Sequence, residues 1–297
     1  MSTSLDKLRQ AMESASPAQG DKKTYGDDTF WKPELDKSGN GYAVVRFLPT
    51  PEGDEMPWVS YFDHGFQGLG GWYIEKSLTT IGKKDPVSEY NTSLWNTGIE
   101  ANKEQARKQK RRLHYVSNIL VVQDPSNPAN NGKVFLYDFG KKIFDKIMDK
   151  MQPEFPGEEP VVPFDFWNGA DFQLKIRNVA GYRNYDKSEF KAPSALYEAD
   201  EVKLEATYNQ MFDLGEFTAP KSFKPYDELK GRLEVVLGTA VGTNAVAATA
   251  NISQTAEENV GRSAPEPEIV SSPAPAVGKE DDEDDTLSYF AKMAQED

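Results

Sequence analysis

Ten residues near the middle of the chain concentrate positive charge. The stretch 103–112 (KEQARKQKRR) holds six basic residues and one acidic residue, in a chain of 297 residues with a net charge of −14. Clustered Lys and Arg side chains bind phosphate groups, although most such runs form the solvated face of a helix. Because this run leads directly into Tyr115 and an apolar stretch from Val116, we expect its cations at the rim of a sheet, bound to phosphates.

Aromatic residues alternate with basic residues elsewhere in the chain. Tyr137 precedes Lys141 and Lys142, and residues 182–185 read YRNY. Proteins that bind single strands combine cations along the backbone with rings that stack on bases, at about 1–3 kcal/mol per base. Arg46 interrupts the apolar stretch YAVVRFL. A buried arginine without a partner is unfavourable, so we predict that Arg46 faces a groove.

The acidity lies mainly at the end of the chain. Residues 241–297 contain 12 acidic and 3 basic residues, whereas residues 1–240 contain 36 and 31. The Ala/Ser/Thr/Pro-rich and then acidic composition cannot build a core, so a disordered tail is predicted over 241–297. Acidic and apolar residues near its end are the predicted partner-binding residues, namely Asp281, Asp282, Asp284, Asp285, Leu287 and Phe290.

Catalytic patterns are lacking in the sequence. There is no cysteine, which excludes disulfides, thiolate metal sites and cysteine nucleophiles. We find no Walker-type loop, no GxSxG and no GxGxxG, and the two histidines are His64 and His114. No stretch resembles a signal peptide or a membrane span. We therefore expect neither an enzyme nor a cofactor, and no membrane association.

The elements that must position these residues are short strands joined by turns. Strands are predicted over 42–48, 58–66, 72–75, 116–122, 133–139 and 172–179, with helices over 140–151, 199–212 and 226–237. Leu5, Leu8 and Met12 have helical spacing in an N-terminal arm over 1–21. The pattern predicts an α+β chain whose core, over 22–240, is a five-stranded OB-type barrel with accessory helices.

Several motifs, in order along the core, are similar to one known family. They are GNGYAVVRFLP (39–49), GWYIE (71–75), SNILVVQDP (117–125), GKVFLYDFGKKIFDKI (132–147) and VAGYRNYDKSEF (179–190). The chain resembles the single-stranded DNA-binding protein of T-even-type bacteriophages.

This resemblance implies a cationic cleft on the OB-fold, an arm that makes binding cooperative, and a tail that contacts other proteins. The implied partners of the tail are the phage DNA polymerase, the helicase loader and recombination proteins. Trp95 stands where the family tends to have a tyrosine. The DNA-binding candidates carried over by position are Arg46, Trp95, Lys110, Arg111, Arg112, Tyr115, Tyr137, Tyr182, Arg183 and Tyr185.

The resemblance also implies a structural zinc ion, held in the family by one His and three Cys. His64 is retained here, but Ser77, Asp85 and Ser88 occupy the other three positions. Serine is a poor zinc ligand and one His with one Asp cannot close a tetrahedral site, so we predict no metal. The subdomain over about 64–98 would then depend on apolar packing by Ile81, Val87, Leu94, Trp95 and Ile99.

The expected function is cooperative, sequence-independent binding and protection of single-stranded DNA during phage replication, recombination and repair. The resemblance places it in the cytoplasm of the infected host. Two alternatives remain open on the residues alone. One is a translational regulator that binds single-stranded RNA, since stacking and phosphate contacts distinguish RNA from DNA poorly. The other is a protein-interaction scaffold that binds no nucleic acid.

Overall fold

The structure is a computed structural model, and it describes residues 27–239. The predicted arm over 1–21 and the predicted tail over 241–297 lie outside the described residues. The α+β class is confirmed. The strands are β1 (Gly41–Phe47), β2 (Trp58–Gly68), β3 (Gly71–Lys76), β4 (Arg112–Gln123), β5 (Val134–Phe139), β6 (Asp171–Val179), β7 (Tyr182–Asn184) and β8 (Glu189–Phe190). The α-helices are α1 (Pro86–Asn96), α2 (Glu100–Gln109), α3 (Lys141–Met151), α4 (Glu201–Tyr208) and α5 (Tyr226–Leu237).

The described chain divides into two compact units. The larger unit holds residues 27–61 and 113–222, and the smaller unit holds residues 62–112 and 223–239. Strands β2 and β4 each contribute residues to both units.

An antiparallel sheet organises the larger unit. Strand β1 lies between β4 and β6, while β5 pairs with β4, and β7 and β8 pair with β6. The last five residues of β1 are all buried, and Ala43, Val45 and Phe47 belong to the main hydrophobic cluster. Phe47 packs in the main cluster with Ile143 and Ile147 of α3, which lie four residues apart on one face of that helix.

The smaller unit is a β-hairpin packed against helices. Phe66 and Tyr73 on β2 and β3 share a core with Leu229, Leu233 and Val236 of α5. The hairpin turn lies so close to α5 that a Cβ on Gly68 would fall 2.3 Å from the carbonyl oxygen of Val236. Only glycine fits that approach, which explains the glycine-rich turn seen in the sequence.

One helix begins and ends differently from its prediction over 199–212. Tyr197, Glu198 and Ala199 have positive φ angles, a conformation that no right-handed helix continues through. Helix α4 therefore begins after Asp200, whose side chain accepts hydrogen bonds from the N–H groups of Val202 and Lys203.

Helices α1 and α2 were missed by the sequence prediction. Val87 is buried and Ile81 packs against the core, as expected, but the expected packing by Ile99 is wrong because 57% of its surface is exposed. Trp95 is partly exposed. The smaller unit also buries polar side chains, among them His64, Asp85, Asn91 and Gln109.

Candidate nucleic-acid interface

Arg46 lies in the interior of the larger unit. Only 1% of its surface is exposed. Its Nε donates to Oδ1 of Asp171 at 2.9 Å, and Nη1 and Nη2 donate to the carbonyl oxygen of Ser194 at 3.1 and 3.0 Å. The prediction that Arg46 faces a groove is wrong, because Asp171 and Ser194 supply the partners that make burial tolerable. Arg46 joins β1 to β6 and to the chain before α4.

Tyr137 is also a core residue. It is 4% exposed, and its ring packs edge-on against Trp31 with 5.3 Å between ring centroids. Burial raises the pKa of its hydroxyl. A ring in this position cannot stack on a base without leaving the core, so its assignment as a DNA-binding residue is corrected.

Tyr182 and Arg183, by contrast, lie on the surface. They begin β7, which forms a hairpin with β6 through Ala180 and Gly181, whose φ values are +52° and +86°. Two successive positive φ angles are typical of a tight hairpin turn, and the side chain of Asn178 accepts a hydrogen bond from the Gly181 N–H at 2.9 Å. The turn presents Tyr182 with 76% of its surface exposed. A ring held this way is accessible to a nucleobase.

Two further predicted tyrosines are partly buried in the larger unit. Tyr115 on β4 stacks on Phe144 of α3, with ring centroids 3.9 Å apart and an interplanar angle of 5°. Tyr185 packs against the main hydrophobic cluster. Neighbouring side chains therefore pack against each of these two rings.

Basic residues surround the β6–β7 hairpin. The pKa of Asp186 is lowered, first by a hydrogen bond from Asn184 and further by the charges of Lys142, Lys146 and Arg177. Lys146 also donates to the carbonyl oxygen of Asp186 at 3.1 Å. We use the name β6–β7 basic surface for one set of residues on α3, β6, β7 and the loop after β7, namely Lys142, Lys146, Arg177, Arg183 and Lys187.

Most of this surface was missed as a site. Lys146, Arg177 and Lys187 were not among the candidates, although the alternation in β6 places Phe172, Leu174 and Ile176 inward. That alternation could have shown that Arg177 points outward. The proximity of α3 to β6 had no signal in the sequence.

The basic run belongs largely to helix α2 of the smaller unit. Arg107 forms ion pairs with Glu100 and Glu104, at 2.8 and 2.6 Å. Two carboxylates of the same helix therefore balance the charge of Arg107. Arg107 and Lys103 also lie over the ring of Trp95, 5.3 and 5.7 Å from its centroid. Trp95 is thus positioned next to two cations.

The end of the run follows α2. Lys110 caps this helix and is partly buried. The guanidinium of Arg111 lies 4.1 Å from the ring centroid of Phe62, and Arg112 at the start of β4 makes two hydrogen bonds to Asp63, at 3.0 and 2.8 Å. These three cations therefore lie in the same unit as Trp95, while the tyrosine candidates lie in the larger unit.

The four positions of the implied zinc site are all buried in the smaller unit. His64 and Ser77 are 0% exposed, and Asp85 and Ser88 are 1% exposed. Nδ1 of His64 donates to the carbonyl oxygen of Gln109 at 2.9 Å, and Nε2 lies 3.2 Å from Oδ1 of Asp85. The buried imidazole therefore lies between a backbone carbonyl oxygen and a carboxylate.

These residues do not fit a zinc ion. Asp85 is the N-cap of α1, and its oxygens accept from the N–H groups of Val87, Ser88 and Leu78. The hydroxyl of Ser77 contacts that of Thr79 at 3.0 Å. Within residues 27–239, moreover, no three His, Asp or Glu side chains are grouped so as to hold a metal ion. Nδ1 of His64, the hydroxyl of Ser77 and both carboxylate oxygens of Asp85 are therefore already used in protein hydrogen bonds.

Burial by itself raises the pKa of Asp85, but the neighbouring His64 and the N–H groups of Ser88 and Leu78 outweigh burial, and its pKa lies below the ordinary value. The ionised carboxylate is therefore the form that the folded unit holds.

The predicted partner-binding residues lie outside the part of the chain that the structure describes. The predicted partner-binding residues from Asp281 to Phe290 fall beyond residue 239. Among the described helices, none is both long and apolar enough to cross a bilayer.

Comparison with known proteins identifies the family. Residues 39–237 match the family model described as gp32 DNA binding protein like. The chain belongs to this family. It is 43% identical to the "Single-stranded DNA-binding protein" of Enterobacteria phage T4, over an alignment of 226 residues that covers 74% of each chain. Over the same length it is 42% identical to the protein of the same description from Enterobacteria phage T2. A protein of the same description from Escherichia phage SV14 is 44% identical over 71 residues, which are 23% of this chain and 63% of that protein. The family match begins just before β1 and ends at the last residue of α5.

Proposed function

We propose that this chain binds single-stranded DNA without sequence preference and without enzymatic chemistry. The observation that carries the proposal is the exposed ring of Tyr182, held by a tight turn beside the β6–β7 basic surface. The relatives from phages T4 and T2 are named single-stranded DNA-binding proteins, which supports the same ligand here.

In this proposal the two kinds of residue have separate roles. Cations of the β6–β7 basic surface follow the phosphates, and each neutralised phosphate contributes a slope of about −0.7 to log K against log salt. Tyr182 stacks on a base, with Tyr185 beside it. Lys110, Arg111, Arg112 and Trp95 form a second group of contacts. We further propose that the larger unit is an OB-type barrel, a reading supported by its antiparallel pairing of β4, β1 and β6.

The ends of the chain complete the proposal. The acidic tail competes with DNA for basic residues, and recruits phage polymerase, helicase loader and recombination proteins. The arm over 1–21 contacts the next copy along the DNA, so its removal would weaken binding to long strands far more than to short oligonucleotides; equal losses would contradict this role. The protein would act in replication, recombination and repair within the cytoplasm of the infected host.

Intrinsic fluorescence separates the proposal from its alternatives. The full chain would be titrated with poly-dT, poly-U and duplex DNA over a salt series. Quenching by poly-dT that weakens with salt, with little response to poly-U or duplex, is the expected result. Equal or stronger quenching by poly-U would favour the RNA-binding regulator. No quenching by any of the three would favour the scaffold and exclude the proposed function.

A further inference from the structure

The β2–β3 hairpin of the smaller unit carries exposed apolar side chains. Leu69 in the turn is 94% exposed, and Trp72 and Ile74 on β3 are 56% and 60% exposed. The exposed fraction of Leu69 exceeds that of every other large apolar side chain in residues 27–239. We call these three residues the hairpin patch. Nothing in the proposed DNA contacts uses them.

Trp72 and Ile74 lie on one face of the hairpin. Gln67 pairs with Trp72 and Gly65 pairs with Ile74, and residues directly opposite in an antiparallel pair point to the same side. Arg112 covers that side at Gly65, since a Cβ there would lie 2.1 Å from Nη2 of Arg112. The face therefore has a Trp–Ile centre and an arginine at its edge, and Trp and Arg are residue types enriched in protein-binding hot spots.

The described chain leaves the smaller unit beside this patch. The Gly70 N–H donates to the carbonyl oxygen of Val236 at 2.9 Å, which fixes the turn against the end of α5. A Cβ on Gly238 would lie 3.4 Å from Cδ1 of Leu69. Residues 240–297 follow directly, so any apolar group in them is tethered to the patch. Tethering through a connector long enough to span the sites gives effective concentrations on the order of millimolar.

The last residues of the chain have the matching chemistry. Leu287, Phe290, Ala291 and Ala294 are spaced at i, i+3, i+4 and i+7, the spacing of an amphipathic helix whose apolar face binds a hydrophobic surface. Residues 280–297 contain eight acidic residues and one basic residue. The described residues of the smaller unit contain 12 basic and 9 acidic residues. The apolar residues and the negative charge of residues 280–297 therefore complement the apolar patch and the positive charge of the smaller unit.

We propose that the hairpin patch binds the apolar residues of segment 287–294 of the same chain. The contact is distinct from the competition of the acidic run 280–285 for the DNA-binding surface, because it depends on Leu287 and Phe290 and not on the carboxylates. It places the partner-binding end of the chain on the smaller unit.

Site-specific photo-crosslinking tests this contact in the full chain. Leu69 would be replaced by p-benzoylphenylalanine, and the adducts mapped by mass spectrometry in the absence of DNA. Phe155, which is 69% exposed in the larger unit, is the matched position for the same replacement. We expect adducts between position 69 and residues 286–297, and none from position 155. Adducts of position 69 with other regions, or none at all, would overturn the proposal.

Two double variants separate the apolar contact from mere proximity. Leu287→Ala with Phe290→Ala is expected to reduce the adduct at least five-fold, while Thr286→Ala with Ser288→Ala leaves it unchanged. An undiminished adduct in the first variant would refute the contact. Mixing isotope-labelled and unlabelled chains must give adducts within one chain, and mixed adducts would refute the same-chain assignment.

Parallel titration of each variant with poly-dT keeps the two proposals apart. The Leu287→Ala, Phe290→Ala variant retains all six acidic residues of the run 280–285, so its poly-dT affinity and salt slope should equal those of the Thr286→Ala, Ser288→Ala variant. A weakened adduct together with normal DNA binding supports the docking contact and leaves the proposed function intact. Absence of poly-dT binding in every variant would overturn only the proposed function.

Discussion

Exposure distinguishes tyrosines that look alike in the sequence. Tyr182 and Tyr137 both lie near basic residues, yet Tyr182 is 76% exposed and Tyr137 is 4% exposed. The difference comes from position, because Tyr182 directly follows the exposed turn at Ala180 and Gly181, whereas Tyr137 lies in β5 and belongs to the main hydrophobic cluster. Of these two tyrosines, Tyr182 alone combines an open ring face with neighbouring cations.

Replacing Tyr182 with Ala is expected to weaken poly-dT binding by about 1–3 kcal/mol, which is the contribution of one stacked base. Val179, its exposed partner across the hairpin, provides the matched Val179→Ala control, which should bind normally. Fluorescence anisotropy with a labelled oligonucleotide measures both. Equal affinities for the Tyr182 variant and the control would show that this ring does not stack.

Arg46→Met is expected to affect folding rather than DNA contact. The substitution leaves Asp171 with only Lys191, 3.5 Å from its Oδ2, and removes the donors to the Ser194 carbonyl oxygen. Loss of one partner of a buried ion pair costs about 3–5 kcal/mol. Urea unfolding should show this loss, whereas Arg177→Met on the surface should leave stability nearly unchanged. A variant of Arg46 that is as stable as the wild type but binds DNA poorly would restore its predicted place in the groove.

At the scale of elements, a buried polar pair, His64 and Asp85, connects β2 and α1 of the smaller unit. His64 on β2 contacts Asp85, the N-cap of α1, and the carbonyl of Gln109 at the end of α2. One histidine thus links a strand to two helices. This arrangement occupies the place where the family resemblance implied a zinc ion.

The pair predicts a loss of stability in acid. Because the pKa of Asp85 is lowered in the folded chain, its stabilisation is complete above the unfolded value of about 3.9. This stabilisation is lost as the pH falls through the pKa of Asp85 in the folded chain, which lies below the unfolded value. Asp85→Asn keeps a capping side chain but removes the charge. It should lower the free energy of unfolding at pH 7 by about 1.5–3 kcal/mol and flatten the decline in acid.

Circular dichroism during urea unfolding at each pH measures this effect. Asp200→Asn, at the exposed N-cap of α4, is the control for loss of a capping charge, and it should change stability much less. A metal chelator should leave the unfolding midpoint of the wild type unchanged. A large shift with chelator, together with about one zinc ion per chain, would contradict the role assigned to the pair.

Elements with a clear apolar pattern were predicted from the sequence, and elements without one were missed. Strand β1 carries an apolar run, helix α3 carries a periodic apolar signal, and α5 was predicted with its observed bounds over 226–237. Helix α2 buries only Ala106 and Gln109, so it has almost no apolar periodicity to detect. In the candidate site, Tyr182, Arg183 and Tyr185 were chosen from the local alternation of aromatic and basic residues, but the hairpin that presents Tyr182 was not predicted. The contribution of Lys146 and Arg177 depends on α3 meeting β6, which local sequence does not encode.

Charge is distributed unevenly over the whole molecule. Of the net charge of −14, residues 241–297 account for −9. Removing residues 241–297 is therefore expected to tighten poly-dT binding, most at low salt where electrostatic competition is strongest. Binding isotherms at several salt concentrations would show the difference shrinking as salt rises. Identical isotherms for the two chains would exclude competition by the acidic tail.

The central claim is that the β6–β7 basic surface binds the phosphates of a single strand. Its most direct test is the salt dependence of poly-dT affinity for a chain with Lys142, Lys146, Arg177 and Arg183 replaced by Gln. The control chain carries the same charge change at four exposed lysines elsewhere, Lys83, Lys84, Lys133 and Lys230. We predict that the first variant binds weakly, with a salt slope smaller by about 0.7 for each phosphate that it no longer neutralises, while the control keeps the wild-type slope. Equal slopes in the two variants would contradict the claim.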